Sequence, residues 1–137
     1  VLIMGKQIAP GDALFASIDI RSSDCIAPTY YATMGFAVPA GLGVQIASGR
    51  RPLILVGDGA FQMTGMELSN LVRYKLPSVV IVLDNGGYGT ERLLHAGDWK
   101  FNDIHPWQYH RLPEVLGGGK GYQVRREGDF DKALTAA

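Results

Sequence analysis

The chain has 137 residues, 47% of them hydrophobic, and 13 Lys and Arg offset 13 Asp and Glu to give a formal net charge of zero. That is the length of one domain. The charge balance, with no long basic block, argues against nucleic acid or an anionic membrane as main partner, and no apolar run approaches the roughly 18 residues of a membrane span. Cys25 is the only cysteine, so no internal disulfide can form and a reducing, cytoplasmic compartment is expected. The apolar start lacks the basic leader and cleavage site of a signal peptide. With no initiator Met, and a C-terminus that stops inside an amphipathic pattern at Phe130–Ala137, the 137 residues read as a piece of a longer protein.

In chain order, residues 1–9 hold a candidate strand. Pro10-Gly11-Asp12 is a turn, and Asp12 is placed to cap a short helix over Ala13–Ile20. Arg21–Thr29 reads as a loop. Tyr30–Ser48, rich in Ala and Gly, predicts a helix packed closely on a sheet, with its start or a kink near Pro39. Leu53–Val56 is a strand. Thr64–Tyr74 is a helix, with Thr64 and Glu67 as its capping box, and Ser78–Leu83 is the next strand. Tyr88–His95 starts another helix, 96–107 is an aromatic loop, Leu112–Leu116 is a short helix, and Gly121–Arg125 is a candidate last strand. Strand, helix, strand in this order predicts an α/β fold, a parallel sheet flanked by helices with right-handed crossovers.

Two glycine-rich triplets carry the chemistry. Gly57-Asp58-Gly59 follows the apolar run 53–56, and Asn85-Gly86-Gly87 follows the run 79–83. Either alone is a common turn. Asp58 and Asn85 are 27 positions apart, room for one strand–helix–strand unit. Parallel strands then bring a carboxylate and an amide to the sheet edge where open α/β sheets bind ligands. Two oxygen ligands and glycine-rich loops suit a hard cation bridged to phosphates. A diphosphate held through a divalent cation leaves such a site net anionic, yet between 57 and 90 the only Lys and Arg are Arg73 and Lys75 on the helix. Backbone N–H groups, such as those of Gly59 and Ala60 near a helix start, must supply the rest.

Gly57-Asp58-Gly59 followed by Asn85 resembles the thiamine diphosphate motif. Residues 31–37 (YATMGFA), 57–64 (GDGAFQMT), 87–91 (GYGTE) and 101–104 (FNDI) resemble the 2-oxo acid decarboxylases, with the pyruvate, indolepyruvate and phenylpyruvate decarboxylases most similar. The likeness runs from about Gly11 to the end and implies the C-terminal, diphosphate-binding domain over residues 1–137. It implies Mg²⁺ on Asp58, Asn85 and the Gly87 carbonyl, and thiamine diphosphate met by Gly57, Gly59, Ala60, Tyr88 and Gly89. Backbone groups of Ala32 and Met34 would meet the pyrimidine, and Met34 would fill the place of the bulky residue that bends the cofactor. Asp12 stands near the cofactor where the family often has Thr. Asp84 departs from the family's Asn-Asn pair, but the ligand position is the second one.

The resemblance makes Glu91 the catalytic candidate. Decarboxylation needs surroundings that disfavour the substrate carboxylate and a proton for the carbon that loses CO₂, and a carboxylic acid that keeps its proton serves both needs. The bland alternative is a first-turn Glu favoured by the helix dipole. The resemblance also implies a pyrimidine-binding domain, of the same or a neighbouring subunit, that supplies the Glu activating the cofactor, and hence a homodimer or homotetramer. The function expected is non-oxidative decarboxylation of a 2-oxo acid to an aldehyde and CO₂, a carbon–carbon lyase of which this chain alone is inactive. An acetolactate synthase-like carboligase and a non-catalytic cofactor-binding subunit are the alternatives. A dinucleotide-binding module is a poor third, because no GxGxxG follows the first strand. His95, His105 and His110 have no metal-like spacing.

Overall fold

A computed structural model describes residues 2–4, 24–28 and 30–137. Four parallel strands make one sheet in the order β2-β1-β3-β4: β1 is Leu2–Met4, β2 Cys25–Ile26, β3 Leu53–Gly57 and β4 Val79–Leu83. Strand β3 is central, with Ile3 opposite Ile54 on one side and Val80 opposite it on the other. Ile54, Leu55 and Val56 are buried, as expected of a strand covered on both faces. All five residues of β4 are half-buried, and among the described residues no strand pairs with its outer side.

The expected α/β class and both long strands are present. Helix α1 covers Ala37–Ser48, seven residues shorter at its start than the predicted 30–48 span; residues 30–35 form turns instead. Pro39 then falls in the first helical turn, where its missing N–H costs nothing. Gly49, at φ 68°, ends the helix by donating its N–H to the Gln45 carbonyl. Helix α1 packs on β1 and β3 and touches the helices after β3, so α1 and those helices lie on one face of the sheet.

The segment after β3 corrects a prediction. Helix α2, Asp58–Thr64, starts directly at the strand end; a 3₁₀ turn at Gly65–Glu67 follows, and then α3, Leu68–Arg73. The capping box is not made: no side chain caps this start, and Thr64 Oγ1 donates instead to the Gly35 carbonyl at 2.7 Å. At Gly65 the Phe61 ring lies where a Cβ would stand, so the position admits no side chain unless the ring moves. The expected strand at 121–125 is not formed, and Tyr122 and Val124 are exposed there. The loop expected at 21–29 holds the two-residue strand β2. Helix α4 is Gly89–Leu94, α5 is Leu112–Val115 and α6 is Glu127–Ala136. The Asp12 cap and its helix at 13–20 lie outside the described residues.

The core is Ile3, Ala37, Val38, Ile54, Val56, Ala60 and Phe61. Trp107, Tyr109 and Leu112 pack against it, with the Tyr109 ring edge-on to Phe61 at 5.5 Å.

Candidate functional site

The site is built by strand register. Gly57 pairs with Leu83 across β3 and β4, so the next residues of both strands leave the sheet side by side. Asp58, fully buried, opens α2 and collects backbone donors from both loops. Its Oδ1 accepts the Gly59 N–H at 2.7 Å, and its Oδ2 accepts the N–H groups of Gly86 at 2.7 Å and Gly87 at 3.1 Å. Burial pushes the Asp58 carboxyl above its ordinary range; the three N–H groups pull the other way, and the Asp84 carboxylate adds to the rise. A cation at this carboxylate would offset both the burial and the repulsion.

The Asn85 side chain supplies the second polar group. One end of its amide lies 2.8 Å from the Gly87 carbonyl oxygen and 3.0 Å from Asp58 Oδ1. With nitrogen at that end, the amide donates to both. With oxygen there, three oxygens converge, an arrangement that a cation between them would stabilise. Ligands at right angles on a six-coordinate ion with bonds of 2.0–2.1 Å stand about 2.9 Å apart, so the spacing fits a small hard cation in size and in donor chemistry. Among the described residues no group of three or more His, Cys, Asp and Glu side chains could hold a metal ion. A site of one carboxylate, one amide and one carbonyl is of another kind.

Gly87 is buried, at φ 142°, and its carbonyl also accepts the Gly89 N–H at 3.0 Å. A Cβ on it would stand 2.1 Å from the Asn102 carbonyl oxygen. Tyr88 turns its N–H onto that same carbonyl at 2.8 Å, while Gly87 bridges to Asp103. The side chain of Asn102 is 1% exposed, and neither Oδ1 nor Nδ2 has a partner among the described residues.

Of the remaining expected residues, Gly57 and Ala60 are buried beside Asp58. Gly59 has its N–H turned onto Asp58 Oδ1, so a diphosphate would have to share or displace that bond to reach it. Ala32 is left-handed at φ 49°, and its N–H donates to the Pro28 carbonyl at 2.6 Å. Met34 is half-buried against the core. Glu91 is in the first turn of α4, with Oε2 3.8 Å from His95 Nε2. Asp12 lies outside the described residues. The sequence reading missed Arg92, Asn102 and Asp103. The only signal for the last two was their place in the 101–104 segment, to which no role was attached.

Residues 15–137 match the family described as thiamine pyrophosphate enzyme, C-terminal TPP binding domain. Indole-3-pyruvate decarboxylase of Azospirillum brasilense is 41% identical over 128 residues, which cover 93% of this chain and 23% of that protein. Pyruvate decarboxylase of Aspergillus fumigatus is 36% identical over 78% of this chain and 20% of its own. The chain therefore spans about a fifth to a quarter of the length of these curated relatives. Among solved structures, the thiamine diphosphate-dependent 4-hydroxybenzoylformate decarboxylase of Rhodococcus jostii RHA1 superposes with a TM-score of 0.73 at 32% identity, over 82% of this chain and 22% of that one. The strand-end carboxylate, the glycine loops and this match over most of the chain together assign it: it belongs to the thiamine pyrophosphate enzymes, in their C-terminal cofactor-binding domain.

Proposed function

We propose that this chain supplies the Mg²⁺-diphosphate site and a catalytic Glu to a 2-oxo acid decarboxylase that forms an aldehyde and CO₂. The observation that carries the proposal is the convergence of Asp58 Oδ1, the Asn85 amide and the Gly87 carbonyl at the ends of β3 and β4. Those three groups would hold Mg²⁺. Gly57, Gly59, Ala60, Tyr88 and Gly89 would bring backbone to the diphosphate, and Ala32, Met34 and Asp12 would meet the rest of the cofactor. When bound, thiamine diphosphate supplies a carbon nucleophile and takes up the electron pair released with CO₂.

The chain's own residues do the rest. Asp58 and the glycine loops fix the diphosphate end, so orientation is settled before substrate arrives. Glu91, in the first turn of α4 just beyond the Gly87 loop, would pass a proton to the carbon that has lost CO₂. Leu93 and Leu94 at the end of that helix, and Trp99 and Phe101 in the loop after it, are exposed apolar side chains. Such side chains suit a covering pyrimidine-binding domain from the same or a neighbouring subunit in a homodimer or homotetramer. No helix among the described residues is long and apolar enough to cross a membrane, and the lone Cys25 accords with the cytoplasmic setting included in the proposal.

Titration of thiamine diphosphate with and without Mg²⁺, in the presence of a pyrimidine-binding domain, tests the reading. Mg²⁺-dependent binding that Asp58→Ala abolishes is expected. Binding indifferent to Mg²⁺ would sink it. Product analysis with a 2-oxo acid separates aldehyde release from carboligation, and binding without turnover would point to a non-catalytic subunit.

A further inference from the structure

We propose that Arg92 is a positioning residue that locks the peptide between Gly86 and Gly87 and so presets the cation site; the inference rests on the reading of Asp58, Asn85 and Gly87 as cation ligands. Two consecutive glycines at φ 77° and 142° leave this stretch of backbone with little intrinsic preference. A peptide flanked by glycines on both sides can rotate about its axis, exchanging the directions of its C=O and N–H. Here it is gripped at both ends. Its carbonyl, that of Gly86, accepts from Arg92 Nη2 at 3.0 Å, and its N–H, that of Gly87, donates to Asp58 Oδ2 at 3.1 Å. One peptide thus lies between a guanidinium and a carboxylate, with its dipole aligned to both charges, an arrangement in which each hydrogen bond strengthens the other.

The grip is itself braced. The same Nη2 donates to Asp103 Oδ1 at 2.7 Å and reaches the Asn102 carbonyl at 3.3 Å. Asn102 in turn accepts from Tyr88, and its carbonyl fills the space a Gly87 side chain would need. Arg92 sits one turn along α4 from Tyr88, to whose carbonyl its own N–H donates at 3.1 Å. Helix, turn and loop therefore close into one ring around the Gly86–Gly87 peptide. Flipping that peptide would withdraw the Gly87 N–H from Asp58 Oδ2, the partner that holds the carboxylate whose other oxygen is a proposed cation ligand. As an ion pair, Arg92 with Asp103 is too exposed to matter much; its consequence is the direction of the Gly86 carbonyl and, across the same peptide, of the Gly87 N–H that Asp58 accepts. Groups that orient metal ligands in this way typically change metal affinity 10–100-fold when removed.

Backbone amide exchange and Mg²⁺ titration of thiamine diphosphate binding, on wild type, Arg92→Ala, Arg92→Lys and Asp103→Asn, test the proposal. Arg92→Ala should speed exchange at the Gly86 and Gly87 amides at least tenfold while Leu55 and Val56 are unchanged, and should raise the Mg²⁺ midpoint by about 10–100-fold, with binding recovered at saturating Mg²⁺. Arg92→Lys, with one point charge in place of the fork, should fall between. If Arg92→Ala also speeds Leu55 and Val56, the fold has loosened and Asp103→Asn is read in its place, with the same loop-confined gain in exchange expected. Unchanged exchange at Gly86 and Gly87, or an unchanged Mg²⁺ midpoint, overturns the proposal. A wild-type chain with no Mg²⁺ dependence overturns the proposed function instead, and loop exchange alone then decides the lock.

Discussion

The Gly87 backbone lies so close to the Asn102 carbonyl that a side chain at Gly87 would have to occupy the space of that oxygen. Gly86, its neighbour, faces open space. Substituting each with Ala should therefore separate conformational strain from steric exclusion. Gly86→Ala is expected to cost about 1–2 kcal/mol for the left-handed backbone alone. Gly87→Ala should cost clearly more and also lose Mg²⁺-dependent cofactor binding, since the 100–103 turn must move away. Denaturant unfolding and cofactor titration of both variants check this, and equal costs would show that the turn yields freely.

Helix α1 meets the central strand at Gly41, where a Cβ would stand 2.2 Å from Ile54 Cδ1. Gly41→Ala gains about 1 kcal/mol of helix propensity but overpacks a buried contact, typically at about 1–3 kcal/mol. A net loss of stability is expected. Ile54→Val removes the Cδ1 methyl, so the double variant should recover part of the loss that Gly41→Ala causes alone. A double-mutant cycle showing plain additivity would rule out the contact as the cause.

Burial raises the Tyr109 phenol above its ordinary value of 10.0, against the Gln62 Nε2 donor at 2.9 Å that favours the ionised form. The native state thus holds this proton more tightly than the unfolded chain. Stability should be unaffected below pH 10 and fall as pH rises through 10 towards the native value. Tyr109→Phe should abolish that alkaline slope while costing about 1 kcal/mol at neutral pH for the lost hydrogen bond. Unfolding free energies between pH 8 and 11, approximate limits set by the ordinary tyrosine value, give the comparison.

Glu91→Gln, made in the enzyme assembled with its pyrimidine-binding domain, should lower kcat by about 10²–10⁴-fold, the usual worth of a proton-transfer group. Cofactor and Mg²⁺ affinity should stay as they are, because Glu91 is not among the groups around Asp58. Full turnover in this variant would return Glu91 to the role of a helix-start carboxylate.

The sheet and the pair at its edge were legible because they depend on local pattern. Leu53–Val56 and Val79–Leu83 are short apolar runs ended by glycine triplets, and parallel pairing then leaves little freedom in where Asp58 and Asn85 go. Helix starts were less legible. Thr64 and Glu67 have the spacing of a capping box, but the Thr64 hydroxyl finds the Gly35 carbonyl, 29 residues away in sequence, and the helix begins at Asp58. Strand β2 has only two residues, too few for a pattern. Arg92, Asn102 and Asp103 escaped for the same reason as Gly35: their partners are set by how two loops fold against each other, and neither loop alone carries a mark of it.

The half-buried strand β4 bears on how the chain behaves in a tube. Val79-Val80-Ile81-Val82-Leu83 has no charge, proline or bulge, and among the described residues no strand pairs with its outer row of backbone donors and acceptors. Those features define a template onto which another extended segment can add. Concentrated preparations of these 137 residues should thicken into edge-to-edge aggregates, and a lysine at Ile81 is the first change to try for keeping them dispersed.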